Sequence, residues 1–208
     1  MMKKTLLAAA ALCALTSGAA MAQQHQQDGK WMVRARAVHL DSANKDSTGL
    51  GLSVNDKVIP ELDISYFFTP NFAAELILTY PQKHKLRSSV VGGQIGTLKH
   101  LPPTLLAQYH FTNLGAFKPY VGAGINYTRF SSVKFDPAVD TALSPSVKKN
   151  SFGPALQIGF DYALDKNWSI NFDVKKVYIK TDVRSFGTKV GTFKVDPVLV
   201  GVGLGYRF

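Results

Sequence analysis

The chain has 208 residues, a formal net charge of +10 and one cysteine, and its mean hydropathy is zero. No apolar run beyond residue 22 approaches the roughly 18 residues that a membrane helix needs, which excludes a helical membrane protein. The cysteine, Cys13, lies in the first 22 residues, so the chain from Gln23 onward holds no disulfide, thiolate metal site or cysteine nucleophile.

Residues 1–22 read as a cleaved export signal. Lys3 and Lys4 form a basic start, Leu6 to Leu15 is a short apolar stretch, and Ala20-Met21-Ala22 is a cleavage site. Loss of the two lysines lowers the formal charge from +10 to +8. The exported domain is then 23–208, and it is periplasmic, secreted or an outer-membrane barrel. Its first residues, Gln23 to Gly29, are polar and predict a loose tail.

From there the chain alternates with a period of two, the mark of extended strands whose side chains point to opposite faces. Residues 31–38 set Trp31, Val33, Ala35 and Ala37 against Met32, Arg34, Arg36 and Val38. A long polar loop, 41–57, follows. Residues 61–68 face Leu62, Ile64, Tyr66 and Phe68 outward and Glu61, Asp63 and Ser65 inward, and Thr69-Pro70-Asn71 is a tight turn. Residues 72–80 form the third strand, and 81–103 a second long loop. The fourth strand is 104–111, the turn 112–118 is short, and the fifth strand is 119–128. A third long loop, 129–150, contains a predicted short helix at 136–143. The sixth strand is 154–164, with a turn at 165–167.

The seventh strand, 168–177, loses its phase at Lys175-Lys176. Either Lys176 reaches up to the outer rim, or a bulge turns Val177 and Ile179 outward. A fourth long loop, 181–195, leads to the last strand, 197–208. There Phe208, Tyr206, Leu204, Val202, Val200 and Val198 form one wholly apolar face, opposite Arg207, Gly205, Gly203, Gly201 and Leu199.

The pattern predicts an all-β fold, an eight-stranded antiparallel transmembrane β-barrel with long extracellular loops and short periplasmic turns. An even count leaves no open edge in lipid. Phe68, Phe72, Phe111, Tyr162, Trp168 and Phe208 fall where a periplasmic aromatic girdle belongs. A soluble barrel of lipocalin type is the competing architecture; it would keep its apolar face inside and its charges outside.

Several stretches are more specific than the alternation. They are His100-Leu-Pro-Pro-Thr-Leu105, Phe117-Lys-Pro-Tyr-Val-Gly-Ala-Gly-Ile-Asn-Tyr-Thr128, Val195-Asp-Pro197 and Gly205-Tyr-Arg-Phe208, with Ala74-Glu75-Leu76 and Lys83-His84-Lys85 beside them. Together they resemble the OmpW family of outer-membrane proteins over essentially the whole exported chain. The resemblance implies an eight-stranded barrel that takes up small hydrophobic compounds, close relatives helping bacteria import alkanes. One departure is Lys175, where the family tends to carry a large apolar residue.

An eight-stranded barrel is only wide enough to be filled by side chains. The inward charges Arg34, Arg36, Glu75, His110, Asp161, Asp173 and Arg207 are therefore expected to pair and plug the periplasmic half. Ile77, Thr79, Thr104, Leu106, Asn126, Ala155 and Leu199 are smaller or apolar, and are expected to line a pocket in the outer half; Lys175, if it points into that pocket, either pairs with Asp173 or Glu61 or meets a polar head on the cargo. Inward glycines such as Gly122, Gly124, Gly201, Gly203 and Gly205 make room in the wall. Cargo in such a pocket needs a side exit. Pro60, Pro102-Pro103, Pro154 and Pro197 each stand near the outer start of a strand, where a missing N–H weakens the ladder.

Lys83, Lys85, Arg87 and Lys99 fall in an interval from Glu75 to Asp136 without any other acidic residue, and are expected to contact lipopolysaccharide phosphate. Tyr206 and Phe208 are expected to be read by the barrel-assembly machinery. The five histidines show no metal-ligand or triad spacing, so no catalytic residue, metal, cofactor or nucleic-acid partner is expected. The leading reading is a monomeric outer-membrane conduit for small hydrophobic molecules with a lateral exit. The alternative is a structural or surface-interaction barrel, a receptor or adhesin, with a polar, closed interior.

Overall fold

A computed structural model describes residues 29–208. The export signal, Cys13 and the tail as far as residue 28 lie outside the described residues. In chain order the strands are β1 (Trp31–Asp41), β2 (Lys45–Asp46), β3 (Leu52–Val54), β4 (Lys57–Phe67), β5 (Phe72–Leu78), β6 (Gln82–Ser88), β7 (Gly93–Leu101), β8 (Thr104–His110) and β9 (Phe117–Phe135). Helix α1 (Pro137–Leu143) comes next, then β10 (Pro145–Val147), β11 (Asn150–Ala163), β12 (Trp168–Val177), β13 (Lys180–Ser185), β14 (Thr188–Lys194) and β15 (Val198–Arg207).

Eight of these strands close on themselves. The order is β1-β4-β5-β8-β9-β11-β12-β15, every neighbour antiparallel, with β15 returning to β1. The last residue ties the seam, since Trp31 N donates to the Phe208 carbonyl at 3.0 Å and Phe208 N to that of Trp31 at 2.8 Å. The eight predicted segments are these eight strands, β12 with the predicted limits and the others shifted or lengthened at their ends.

The faces are those the alternation predicts. Arg34, Asp63, Glu75, Asn171 and Asp173 are fully buried inside, while Leu105 is 49%, Ile158 62% and Val202 55% exposed outside. Charge inside and bare apolar surface outside is the inverse of a soluble barrel, and only lipid makes such a surface stable. Rings meet edge-on along the periplasmic rim: Tyr66 with Phe68, Tyr109 with Phe111, Trp168 with Tyr206. Tyr80, Tyr127, Phe152 and Tyr178 form the exposed outer counterpart. From Phe117 to Tyr127 a strand tilted by 45° climbs about 23 Å, close to the height of an outer-membrane apolar band.

Above Tyr127 the structure departs from the expected loops. Residues 41–57 and 81–103 fold into β2, β3, β6 and β7, and β9 carries on to Phe135 as their support. A second sheet, β10-β13-β14-β2, joins β2 of the first loop to strands from the third and fourth loops. Outside the membrane a strand is wetted on its outer face, so it alternates polar-out with mixed-in. In β6, Lys83, Lys85 and Arg87 are exposed while Gln82, His84, Leu86 and Ser88 are buried. Such a stretch has no lipid-facing apolar stripe and reads as loop. The short helix does form, its Ser144 C-cap in the left-handed region.

The doubt over β12 is resolved without a bulge. Val177 and Ile179 stay buried inside, and Lys176 points out and donates to the Asp196 carbonyl. Two inward glycines are required by neighbours. A Cβ on Gly201 would meet Asp173 Oδ1 at 2.6 Å, and one on Gly159 would meet the Tyr120 hydroxyl at 2.6 Å.

Candidate functional site

The lumen is divided by a floor of ion pairs. In its lower tier Arg34 grips Asp161 with two donors, Nε at 3.0 Å and Nη2 at 2.7 Å, and reaches Glu75 at 3.1 Å and Ser65 at 2.9 Å. One turn of the alternation higher, Arg36 pairs with Asp173 at 2.6 Å, Glu61 at 3.2 Å, Glu75 at 3.4 Å and with Asp63. Lys175 closes the top, paired with Glu61 and with Asp173 at 3.2 Å. Gln157 joins the tiers by donating to Glu75 at 3.0 Å and Asp173 at 2.8 Å. Among the described residues, five carboxylates, Glu61, Asp63, Glu75, Asp161 and Asp173, thus face three cations, Arg34, Arg36 and Lys175.

Of the side chains expected in the plug, the structure brings Arg34, Arg36, Glu75, Asp161 and Asp173 together and sets Arg207 apart. Arg207 lies at the periplasmic mouth, half-buried, its guanidinium 3.8 Å from the centre of the Phe67 ring and its Nε donating to the Gly29 carbonyl at 2.6 Å. It sits lower because it comes at the very end of β15, beyond the carboxylate tiers. Lys175 belongs to the plug as much as to the pocket. His110 is buried between Phe67 and Tyr120, with Nε2 3.0 Å from Gln108 Oε1. Glu61, Asp63, Gln108, Gln157 and Asn171 were legible as inward residues. Their membership of the floor depends on cross-strand register, which one strand's pattern does not carry.

Above the floor the lining turns apolar. Leu40, Ile59, Ile77, Val177, Ile179 and Leu199 surround a chamber whose base is Glu61 and Lys175. Thr79, Thr104 and Asn126 complete it, and His100 and Pro102 stand on its wall. Leu106 and Ala155 are buried in the same apolar cluster but do not line the chamber. The chamber holds about 20 Å³ for the centres of water molecules, room for one or two of them.

Of the four proline positions, one interrupts the wall. Pro60 stays in register with Ala37, the Pro154 carbonyl accepts from Tyr178 N at 3.1 Å, and the Pro197 carbonyl accepts from Val177 N at 3.1 Å. The β5–β8 ladder, in contrast, ends at Ile77 opposite Thr104, and the β6–β7 ladder starts at Gln82 opposite His100. Among the described residues no backbone hydrogen bond joins 79–81 to 101–103. Pro81, Pro102 and Pro103 lie on the two sides of this break and have no N–H to offer. Asn126 holds the β8 side in place, donating to the carbonyls of Pro102 and Pro103 at 3.2 Å each.

Two histidines expected in loops are brought together above the break. His84 and His100 stack with ring centres 4.6 Å apart and planes 11° from parallel, both buried, and Phe130 stands edge-on to His100 at 6.4 Å. They lie on neighbouring strands, so no spacing along the chain shows the pair. Burial beside Lys57 lowers both from the usual histidine range, His100 to about 3, so both rings are neutral at pH 7.

Outside, the basic residues gather on one sheet face. Lys83 stands directly opposite Lys99, Lys85 opposite Thr97, and Lys134 follows Thr97 on the next strand. Arg129 extends the face downward to the level of Tyr127, and among the described residues no carboxylate lies within ion-pair distance of Lys83, Lys85, Arg87, Lys99, Arg129 or Lys134.

Residues 27–208 match the model of the OmpW family. The chain is 44% identical over 186 residues to the uncharacterized outer-membrane protein y4mB of Sinorhizobium fredii, covering 86% of this chain and 80% of that one. Its fold is similar to the crystal structure of OprG from Pseudomonas aeruginosa, with a TM-score of 0.75 and 27% identity over 86% of this chain and 96% of that one. It is also similar to the solution structure of outer membrane protein W of Escherichia coli, with a TM-score of 0.65 and 32% identity over 89% and 100% of the two chains. The closed eight-stranded wall, the lipid-facing apolar surface and these matches lead to one conclusion: this is a non-enzymatic barrel of the outer membrane, and the chain belongs to the OmpW family.

Proposed function

We propose that the barrel is a passive conduit that admits small hydrophobic molecules from outside and releases them sideways into the outer leaflet. The carrying observation is the position of the apolar chamber, closed beneath by the ion-pair floor and abutting the break between 79–81 and 101–103. An apolar molecule crossing the floor would have to part several buried ion pairs, each costly to separate. Leaving through the break parts no backbone hydrogen bond. The apolar lining gains about 25 cal/mol per Å² buried, enough for weak binding and ready release. A polar-filled outer half would have favoured the surface-interaction reading; the lining here is mostly apolar.

The test is uptake of an apolar fluorescent probe by cells carrying Ile77→Asp or Leu199→Phe. The first puts a charge in the chamber and the second fills it. Both are expected to reduce uptake to the level of cells lacking the protein, while heat-shifted gel migration still reports a folded barrel. Uptake at the wild-type rate in a folded variant would remove the lumen as the route and favour the surface-interaction reading.

The outer cation face is proposed to hold lipopolysaccharide phosphates. Like charges directly opposite, as at Lys83 and Lys99, destabilise a sheet unless an anion lies between them. Changing Lys83, Lys85 and Arg87 together to Gln is expected to cut the lipopolysaccharide that co-purifies. Since such pairs are strongest at low salt, an unchanged amount there removes these three as contacts. Tyr206, exposed on β15, and Phe208, exposed just beyond it, are proposed as the features the barrel-assembly machinery reads.

A further inference from the structure

We infer that the chamber selects apolar molecules bearing one uncharged hydrogen-bonding head, an alcohol or a phenol, and that the His100 ring receives that head. This rests on the conduit reading and names the class of molecule within it.

The inference follows from accounting for every polar group on the chamber wall. Glu61 and Lys175 pair with each other. Thr79 donates to the Pro60 carbonyl at 3.0 Å and accepts from Gln82 at 3.3 Å. Thr104 donates to the Pro102 carbonyl at 3.2 Å and accepts from Asn126 at 2.8 Å. Asn126 in turn accepts from Thr128 at 2.6 Å. His100 alone on this wall makes no side-chain hydrogen bond among the described residues, and its Nε2 is buried without a partner. Native interiors seldom leave such a group unpaired, because it has given up water for nothing.

The ring is also held still. His84 presents Nδ1 to the Asn55 carbonyl at 2.9 Å, and since a carbonyl only accepts, Nδ1 carries the proton. That bond orients His84, and His100 lies flat on it with Phe130 at its edge. A neutral imidazole offers one donor and one acceptor, as a hydroxyl does. A carboxylate head finds no free cation on the chamber lining, because Lys175, the cation that lines it, is already shared by Glu61 and Asp173. An ammonium head would be stripped of water beside Lys175, and the one carboxylate on the lining, Glu61, is already paired with Lys175 and Arg36. His100 belongs to the first pair above the wall break, so a head held there leaves the apolar body lying toward Ile77 and Leu199, next to the exit.

The test uses the full barrel in phosphatidylcholine nanodiscs, with octane, 1-octanol and octanoate displacing the apolar fluorophore N-phenyl-1-naphthylamine. Wild type and variants share one bilayer, so partitioning into lipid cancels in the comparison. In wild type, octanol is expected to displace better than octane by a factor that exceeds the factor in His100→Leu about three- to tenfold, the worth of one net hydrogen bond. His100→Gln, which keeps a donor and an acceptor, should restore part of the preference. The imidazole ¹⁵N signal of His100 should move with octanol and stay with octane. Equal preference in wild type and His100→Leu, with octane still displacing, overturns the head-group selection and leaves the conduit standing. Failure of both octane and octanol to displace overturns both.

Discussion

Arg36→Leu is expected to cost the folded barrel about 3–5 kcal/mol, the range for breaking one side of a buried ion-pair network. Arg36 is fully buried at the side chain and touches Glu61, Asp63, Glu75 and Asp173, four carboxylates from three strands. Its removal leaves them with Arg34 and Lys175, inside a wall that admits little water. The loss should appear as a lower urea midpoint for the barrel refolded in vesicles and as a smaller heat-resistant band on gels. Lys83→Gln, on the wetted outer face, is the control and should change stability by less than about 0.5 kcal/mol. A midpoint for Arg36→Leu equal to wild type would mean that the floor contributes nothing to holding the barrel closed.

Lys175→Leu is the second large effect. On the sequence, leucine here restores the apolar residue usual in the family and is expected to leave uptake of a pure alkane equal or higher. The geometry adds a cost in stability. Lys175 is held by Glu61 and Asp173, so its loss leaves these two buried carboxylates with Arg36 as their one remaining cation among the described residues. The single change is expected to cost about 3 kcal/mol or more in the same titration. Adding Glu61→Gln removes one of the excess buried carboxylates, and the pair should recover about 1–3 kcal/mol relative to the sum of the two single changes. Once stability is restored, the double variant should take up a pure alkane at least as fast as wild type, since the chamber base then carries less charge. Additive losses in the cycle would show that Lys175 and Glu61 do not act on one another. Slower alkane uptake by a stable double variant would mean that the paired charge helps the cargo.

Two separate kinds of information specify this molecule. The sequence by itself determined the eight membrane strands and which side of each faces in, because lipid permits only apolar side chains outside and leaves a period of two wherever a strand crosses. It therefore showed that Arg34, Arg36, Asp173 and Lys175 enter the lumen and that Ile77 and Leu199 stand higher than the charged tiers. Tertiary structure alone decided which groups meet. Arg36 of β1 reaches Asp173 of β12 because β15 lies between those strands in a fixed register, and register follows from closing the ring rather than from any one strand. The same holds for the stacked His84 and His100, which come from loops on the page and from paired strands in space. Those outer strands were illegible for a physical reason: with water on one side and a mixed core on the other, they lack the apolar stripe that lipid imposes. Of the four proline positions that sequence marks as weak points, three keep ladder or carbonyl contacts. Only the closed barrel shows that the break lies where Pro81 faces Pro102 and Pro103, because a missing donor weakens a wall only where no neighbouring strand supplies the bond instead.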